Sequence, residues 1–168
     1  MSRGFVKEDD QEEIPIVPPR AHLPEGVTNY VTPTGMEKLL AEREMLISKR
    51  EKLDGTNENE KRIAINHSNA VLLLLNNRIN SATVINLAEQ PADEVRFGAL
   101  VTLKVDKEKE LKEYQIVGVD EADISQNKIS FISPMARILV NKKVGETAVL
   151  KLVNGDKVFE VMAINYSS

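Results

Sequence analysis

The sequence predicts an α+β protein, with an N-terminal antiparallel helical hairpin followed by an antiparallel sheet domain carrying one short helix. Three observations predict it. Apolar residues recur at spacings of three, four and seven between residues 34 and 82, the period of a helix face. From residue 97 onward β-branched runs take over, separated by polar breaks. Near the end, Asn154-Gly155 sits between two alternating runs, the strongest short hairpin signal, because both residues tolerate positive φ.

Residues 1–30 come first and fit neither period. Five of the seven prolines (Pro15, Pro18, Pro19, Pro24, Pro33) fall in the first 33 residues, where missing donors and a fixed φ rule out a helix or a central strand. This stretch reads as an extended acidic arm. It is either a disordered tail or an arm docked on the protein's own surface through Ile14, Ile16, Val17 and Leu23.

The hairpin is expected over residues 31–85. Thr34-Gly-Met-Glu37 has capping-box spacing and opens a helix through Leu53. Its stripe is Met36, Leu39, Leu40, Leu46, Ile47 and Leu53. Gly55 suits a helix stop, and Thr56 or Asn57 suits the next cap. A second helix runs from about Glu58 to Ala82, with Ile63, Ala64, His67, Ala70, Val71, Leu74, Leu75 and Ile79 on its apolar side. So short a loop forces the helices antiparallel. Val71 to Leu75 are aliphatic all round the helix, which predicts burial of the hairpin base against the second domain or another subunit.

The sheet domain is expected over residues 86–168. Phe97 to Val105, Leu111 to Val119, Lys128 to Ile132, Thr147 to Val153 and Lys157 to Ile164 are its strands. Between them Pro134 suits a first helical position, with Ser133 as its cap.

Composition excludes more than it identifies. The 168 residues carry a net charge of −4 and no Cys, so disulfide frameworks, thiolate metal sites and thiol catalysis are out. With only His22 and His67, a multi-histidine metal site within one chain is out as well. The longest apolar run, Ala70 to Leu75, falls far short of the roughly 20 residues of a membrane span, and the acidic N-terminus is no signal peptide. A cytoplasmic protein with no membrane partner is expected. Residues 1–30 hold six acids and three bases, so the body is nearly neutral and lacks the basic footprint of a phosphate binder.

Two acidic groups invite a chemical reading. Asp54, Glu58 and Glu60 stand at the hairpin tip, where carboxylates could share a hard divalent cation; helix capping and the helix dipole favour the same residues there. Val117-Gly-Val-Asp-Glu-Ala-Asp123 is an acidic turn leaving a strand, and by itself it reads as a solvated connection. Nothing resembling a nucleophile elbow, P-loop or dinucleotide fingerprint is present.

Taken together and in this order, Ile116-Val-Gly-Val-Asp-Glu-Ala-Asp123, Ile129-Ser-Phe-Ile-Ser-Pro-Met-Ala-Arg-Ile-Leu139 and Lys143-Val-Gly-Glu146 resemble the C-terminal domain of the bacterial Gre (GreA/GreB) transcription elongation and transcript-cleavage factors. Tyr30-Val-Thr-Pro-Thr-Gly-Met-Glu-Lys-Leu39 resembles their opening helix, and Ser81-Ala-Thr-Val-Ile85 the end of their coiled coil. The resemblance implies an FKBP-like C-terminal domain. It also implies a hairpin that enters the secondary channel of RNA polymerase, where acidic tip residues help hold a second Mg²⁺ in the polymerase's own active site. On that reading Asp54, Glu58 and Glu60 are metal-directed, and Asp120, Glu121, Asp123, Ser133, Pro134 and Arg137 meet the polymerase. The protein would be no enzyme alone, bind no cofactor stably and take no small-molecule substrate, with RNA and DNA contacted only indirectly.

The tip departs from the family's rough pattern Gly-Asp-Leu-x-Glu-Asn-Ala-Glu-Tyr, and the hairpin is some 15 residues shorter, about 10 Å less reach at 1.5 Å per residue. A shortened hairpin under the same domain also resembles the regulator of nucleoside diphosphate kinase, a relative that binds polymerase without stimulating cleavage. A third reading, prolyl isomerisation, follows from the FKBP-like fold, but the domain offers only Phe97, Tyr114, Phe131, Phe159 and Tyr166 to line a pocket.

Overall fold

The computed structural model describes residues 14–55, 57–106 and 108–167. The first 13 residues of the expected arm and the candidate cap Thr56 lie outside them.

The arm ends before residue 30. Residues 14–28 run without helix or strand, and β1 (Asn29–Val31) follows. Helix α1 (Pro33–Glu51) starts two residues earlier than expected. Its cap is Thr32 and not Thr34: the Gly35 amide donates to Thr32 Oγ1 at 2.9 Å, and Pro33 takes the first turn, where its fixed φ suits the helix and its missing N–H costs nothing. Helix α2 (Glu58–Ser81) is capped by Asn57, whose Oδ1 accepts from the Glu60 amide at 2.7 Å. The two helices pack side by side, and Arg50 Nη1 donates across them to Asn69 Oδ1 at 2.9 Å.

Burial along α2 keeps the expected stripe at its base and loses it toward the tip. Leu72, Leu75 and Ile79 are the buried positions, whereas Ile63 is 57% exposed and His67 is also exposed. Only the base of the hairpin closes a core, in which Leu75 and Ile79 pack with Val31 and Leu39. There β2 (Ala82–Val84) runs parallel to β1, with Tyr30 opposite Thr83. Periodicity gave no sign of this small sheet, since three-residue strands are too short to show one.

The second unit is a five-stranded sheet in the order β5-β4-β3-β7-β6. Its strands are β3 (Leu100–Val105), β4 (Leu111–Val117), β5 (Lys128–Ser130), β6 (Thr147–Leu152) and β7 (Gly155–Asn165). All neighbours are antiparallel except β5, which lies parallel to β4 at the edge. The expected antiparallel sheet thus holds but for this edge pair: the acidic turn after β4, with a short 3₁₀ turn at Ile124–Gln126, carries the chain back before β5 pairs. Helix α3 (Pro134–Leu139) is capped by Ser133, with Pro134 in its first turn. It buries Ala136 and Leu139 against the alternating inner residues Val101, Leu103 and Val105 of β3 and Phe159 and Val161 of β7. At Leu152 to Gly155 only Gly155 has positive φ, 122°, so the turn closes on a glycine and is not the two-residue positive-φ turn expected of Asn154-Gly155.

Candidate functional site

Three groups of side chains stand out: the hairpin tip, a half-buried ionic node at the hairpin base, and an aromatic groove beside it.

At the tip, Asp54, Glu58 and Glu60 are all exposed. Glu58 and Glu60 lie in the first turn of α2, where carboxylates complement the partial positive charge of the helix end. Two residues along a helix is a rotation of about 200°, so they leave opposite sides. Glu60 lines the groove between the helices with Leu46, Lys49, Leu53, Ile63 and His67. No group of three His, Cys, Asp or Glu side chains gathers for a metal among the described residues.

The acidic turn after β4 is not a solvated connection. The Asp120 and Glu121 side chains, expected to meet a partner, are only 7% and 4% exposed. Both carboxylates are occupied within the chain. Asp120 Oδ1 accepts from Arg20 Nε at 3.0 Å, and its Oδ2 faces Arg78 Nη1 at 3.6 Å. Glu121 Oε1 accepts from the Thr32 hydroxyl at 2.5 Å, and its Oε2 pairs with Lys128 Nζ at 3.5 Å. Thr32 thus caps α1 and ties it to the sheet unit. Gly118 lets the turn approach, because a Cβ there would lie 2.5 Å from the Tyr30 carbonyl oxygen.

Arg20 completes the node from the arm. Its Nη1 and Nη2 donate to the two oxygens of Glu42 on α1, at 3.1 and 3.0 Å, in the fork geometry that suits a carboxylate. Burial pulls its pKa down, but the hydrogen bonds and charges of Glu42 and Asp120 outweigh that and leave it raised. Beside the node, Lys38 is lowered, chiefly because it sits against Lys128. Among the described residues the arm does dock, in part through the apolar residues expected of it. Ile14 and Ile16 are 89% and 94% exposed, whereas Val17 and Leu23 are half-buried, and Val17, Pro18, Pro19, Arg20 and Ala21 share a groove with Val71, Leu74 and Val119. Of the aliphatic run of α2, Leu72 and Leu75 are buried while Leu73 is 61% exposed. No sequence pattern marks one Arg among prolines as a buried anchor.

Asp123 caps the 3₁₀ turn, its Oδ1 accepting from the Ser125 amide at 3.0 Å and hydroxyl at 2.6 Å. Ser133 and Pro134 start α3, where the Ala136 amide donates to Ser133 Oγ at 3.2 Å. Arg137, exposed on α3, lines a groove of about 530 Å³ with Arg96, Ile85 and the rings of Tyr30, Phe97 and Phe131. Those rings pack on one another at centroid distances of 5.6 to 5.8 Å, joining β1 to the sheet unit. Among the expected residues, the fold gathers Asp120, Glu121 and Asp123 around one turn, and leaves the tip carboxylates and Arg137 apart from it.

Residues 90–166 match the family described as transcription elongation factor, GreA/GreB, C-terminal. Transcription elongation factor GreA of Maricaulis maris is 38% identical over 92 residues, 55% of this chain and 59% of that protein. GreA of Sinorhizobium medicae is 37% identical over 103 residues, 61% of this chain and 65% of that protein. The matched part thus spans less than two thirds of these relatives' own length. Among solved structures, the GreA factor homolog 1 of Thermus thermophilus aligns over 83% of this chain and 99% of that one, at 21% identity and a TM-score of 0.39. GreA/GreB from Nitrosomonas europaea aligns over 82% and 98%, at 17% identity and a TM-score of 0.42.

Proposed function

We propose that this chain, whose residues 90–166 are of the GreA/GreB C-terminal type, works on RNA polymerase as a transcription elongation factor. The supporting observation is that the matched segment sits beneath an antiparallel helical hairpin with an exposed acidic tip. The sheet unit would rest on the polymerase at the rim of its secondary channel, with Arg137, Pro134 and Asp123 on its accessible side. The hairpin would reach inward. Asp120 and Glu121 act differently from the family expectation, holding hairpin and sheet together instead of meeting the polymerase. The protein needs no active site or cofactor of its own for this role, and it works where the polymerase does, in the cytoplasm.

A second reading has a specific observation in its favour. Because Glu58 and Glu60 diverge and Asp54 is not gathered with them, the tip is not prearranged for a metal, and occupying the channel without stimulating cleavage suits it better. One experiment orders the readings. Purified polymerase is titrated with the protein, and backtracked elongation complexes are assayed for RNA cleavage with wild type and a Glu58→Ala/Glu60→Ala double variant. Cleavage by wild type that the double variant loses supports the cleavage factor. Equal, negligible cleavage by two proteins that both bind supports the channel competitor. No complex at micromolar concentration overturns both.

A further inference from the structure

From the ionic node at the hairpin base we infer that the arm is a brace: Arg20 fixes the tilt of the helical hairpin against the sheet unit by bridging Glu42 on α1 to Asp120 on the turn after β4.

The geometry of attachment carries this. Helix α1 is already tied to the sheet unit at its start, through Thr32 and Glu121. That bond and the Tyr30 ring contacts are clustered at the start of the helix, and attachments at one end leave a rod free to pivot. Glu42 lies ten residues further along α1, roughly 15 Å at 1.5 Å per residue. By binding Glu42 with two nitrogens and Asp120 with a third, Arg20 adds a second attachment on a lever arm of that length. Tilting the hairpin away from the turn would have to break these bonds.

The direct contact of α2 with the turn after β4 is slacker than the bridged one. Arg78 on α2 faces Asp120 at 3.6 Å, and Arg78 Nη1 and Asp120 Oδ2 are both buried without a hydrogen bond. Arg20 supplies the short bonds that this pair lacks. Arg78 in turn holds the arm, since its Nη2 donates to the Ala21 carbonyl. The side chains of Arg20, Arg78 and Asp120 are 18%, 15% and 7% exposed and that of Glu42 is 36% exposed, so solvent and salt compete least at the Asp120 end of the bridge. The prolines at 18 and 19 stiffen the segment just before the anchor.

The brace predicts a measurable loss of orientation. The chain has no cysteine, so nitroxides can be placed at Glu51→Cys, at the far end of α1, and Val153→Cys, at the β6–β7 turn, and read by pulsed electron paramagnetic resonance. Wild type should give one narrow distance distribution. Arg20→Ala, and separately Glu42→Ala, should each broaden it about twofold or split it, as for a hinge released, with helicity by circular dichroism unchanged. Glu42→Ala leaves the Arg20–Asp120 bond in place, so it decides the matter if Arg20→Ala unfolds the hairpin. A broad wild-type distribution, or a folded variant that superimposes on a narrow one, overturns the brace. The measurement needs no polymerase, so its result stands apart from the fate of the proposed function.

Discussion

At the scale of single residues, Tyr166 shows how a side chain outside every motif closes the fold. Its hydroxyl donates to the Glu94 carbonyl at 2.5 Å and accepts from the Arg96 amide at 2.7 Å. The last residues of the chain are thereby fastened to the segment leading into the sheet. Burial raises its pKa above the ordinary 10.0. A group whose folded pKa is raised gives stability that is complete below the unfolded pKa and lost as pH climbs through the folded one. Tyr166→Phe should therefore destabilise by about 1 kcal/mol in neutral urea titrations, as for a lost hydrogen bond. The gap between wild type and variant should narrow above about pH 10, where the phenol titrates. A gap independent of pH would mean that the hydroxyl's proton has no part in the fold. Residues of this kind were the least legible. Asp120 and Glu121 stood out in the sequence as an acidic turn, yet their roles depend on Arg20, Arg78 and Thr32, which lie 42 to 100 positions away. Charge identity is local information and burial is not.

At the scale of elements, the strongly periodic segments are legible in the sequence and several of their junctions are not. Both helices of the hairpin, the strands of the sheet and α3 with its Ser-Pro start follow from spacing and cap chemistry visible in the chain. What escaped were β1, β2 and the parallel pairing of β5, which have three residues each and owe their form to tertiary neighbours. Gly118 is where that dependence concentrates. It stands between β4 and the acidic turn, and a Cβ on it would approach the Tyr30 carbonyl oxygen to 2.5 Å. Backbone, unlike a flexible side-chain end, cannot swing aside. Gly118→Ala should push β1 off the turn, disturb the Thr32–Glu121 bond and cost about 1–3 kcal/mol, the usual range for overpacking. Thermal unfolding reads the cost. An amide spectrum with changes confined to residues 29–35 and 116–122 would locate it, and a variant as stable as wild type would show that the approach has slack.

At the scale of the whole molecule, the chain has two cores of unequal reach. The sheet core joins five strands and α3 through side chains with almost no exposure, such as Val101, Leu103, Ile116 and Leu139. The hairpin core ends at its base, with Leu75 and Ile79 packed on Val31 and Leu39, while toward the tip Ile63 and Met45 are 57% and 60% exposed. Stability should therefore fall along the hairpin, since local opening costs least where few apolar contacts are lost. Amide exchange should be slowest in the hairpin over residues 72–81 and fastest over residues 58–65, with β3 and β7 the slowest overall. Leu75 is fully buried, and Leu75→Ala should cost about 2–5 kcal/mol. Because Leu75 belongs to the smaller core, that loss should strip protection from both helices while β3 and β7 keep theirs. Uniform loss in helices and sheet alike would instead show one cooperative unit, with the Arg20 node and the Tyr30–Phe97–Phe131 cluster coupling the cores as tightly as either is held together. The graded outcome fits the proposed role, because a hairpin that must enter a narrow channel gains from a firm base, a fixed tilt and a tip that no core holds in place.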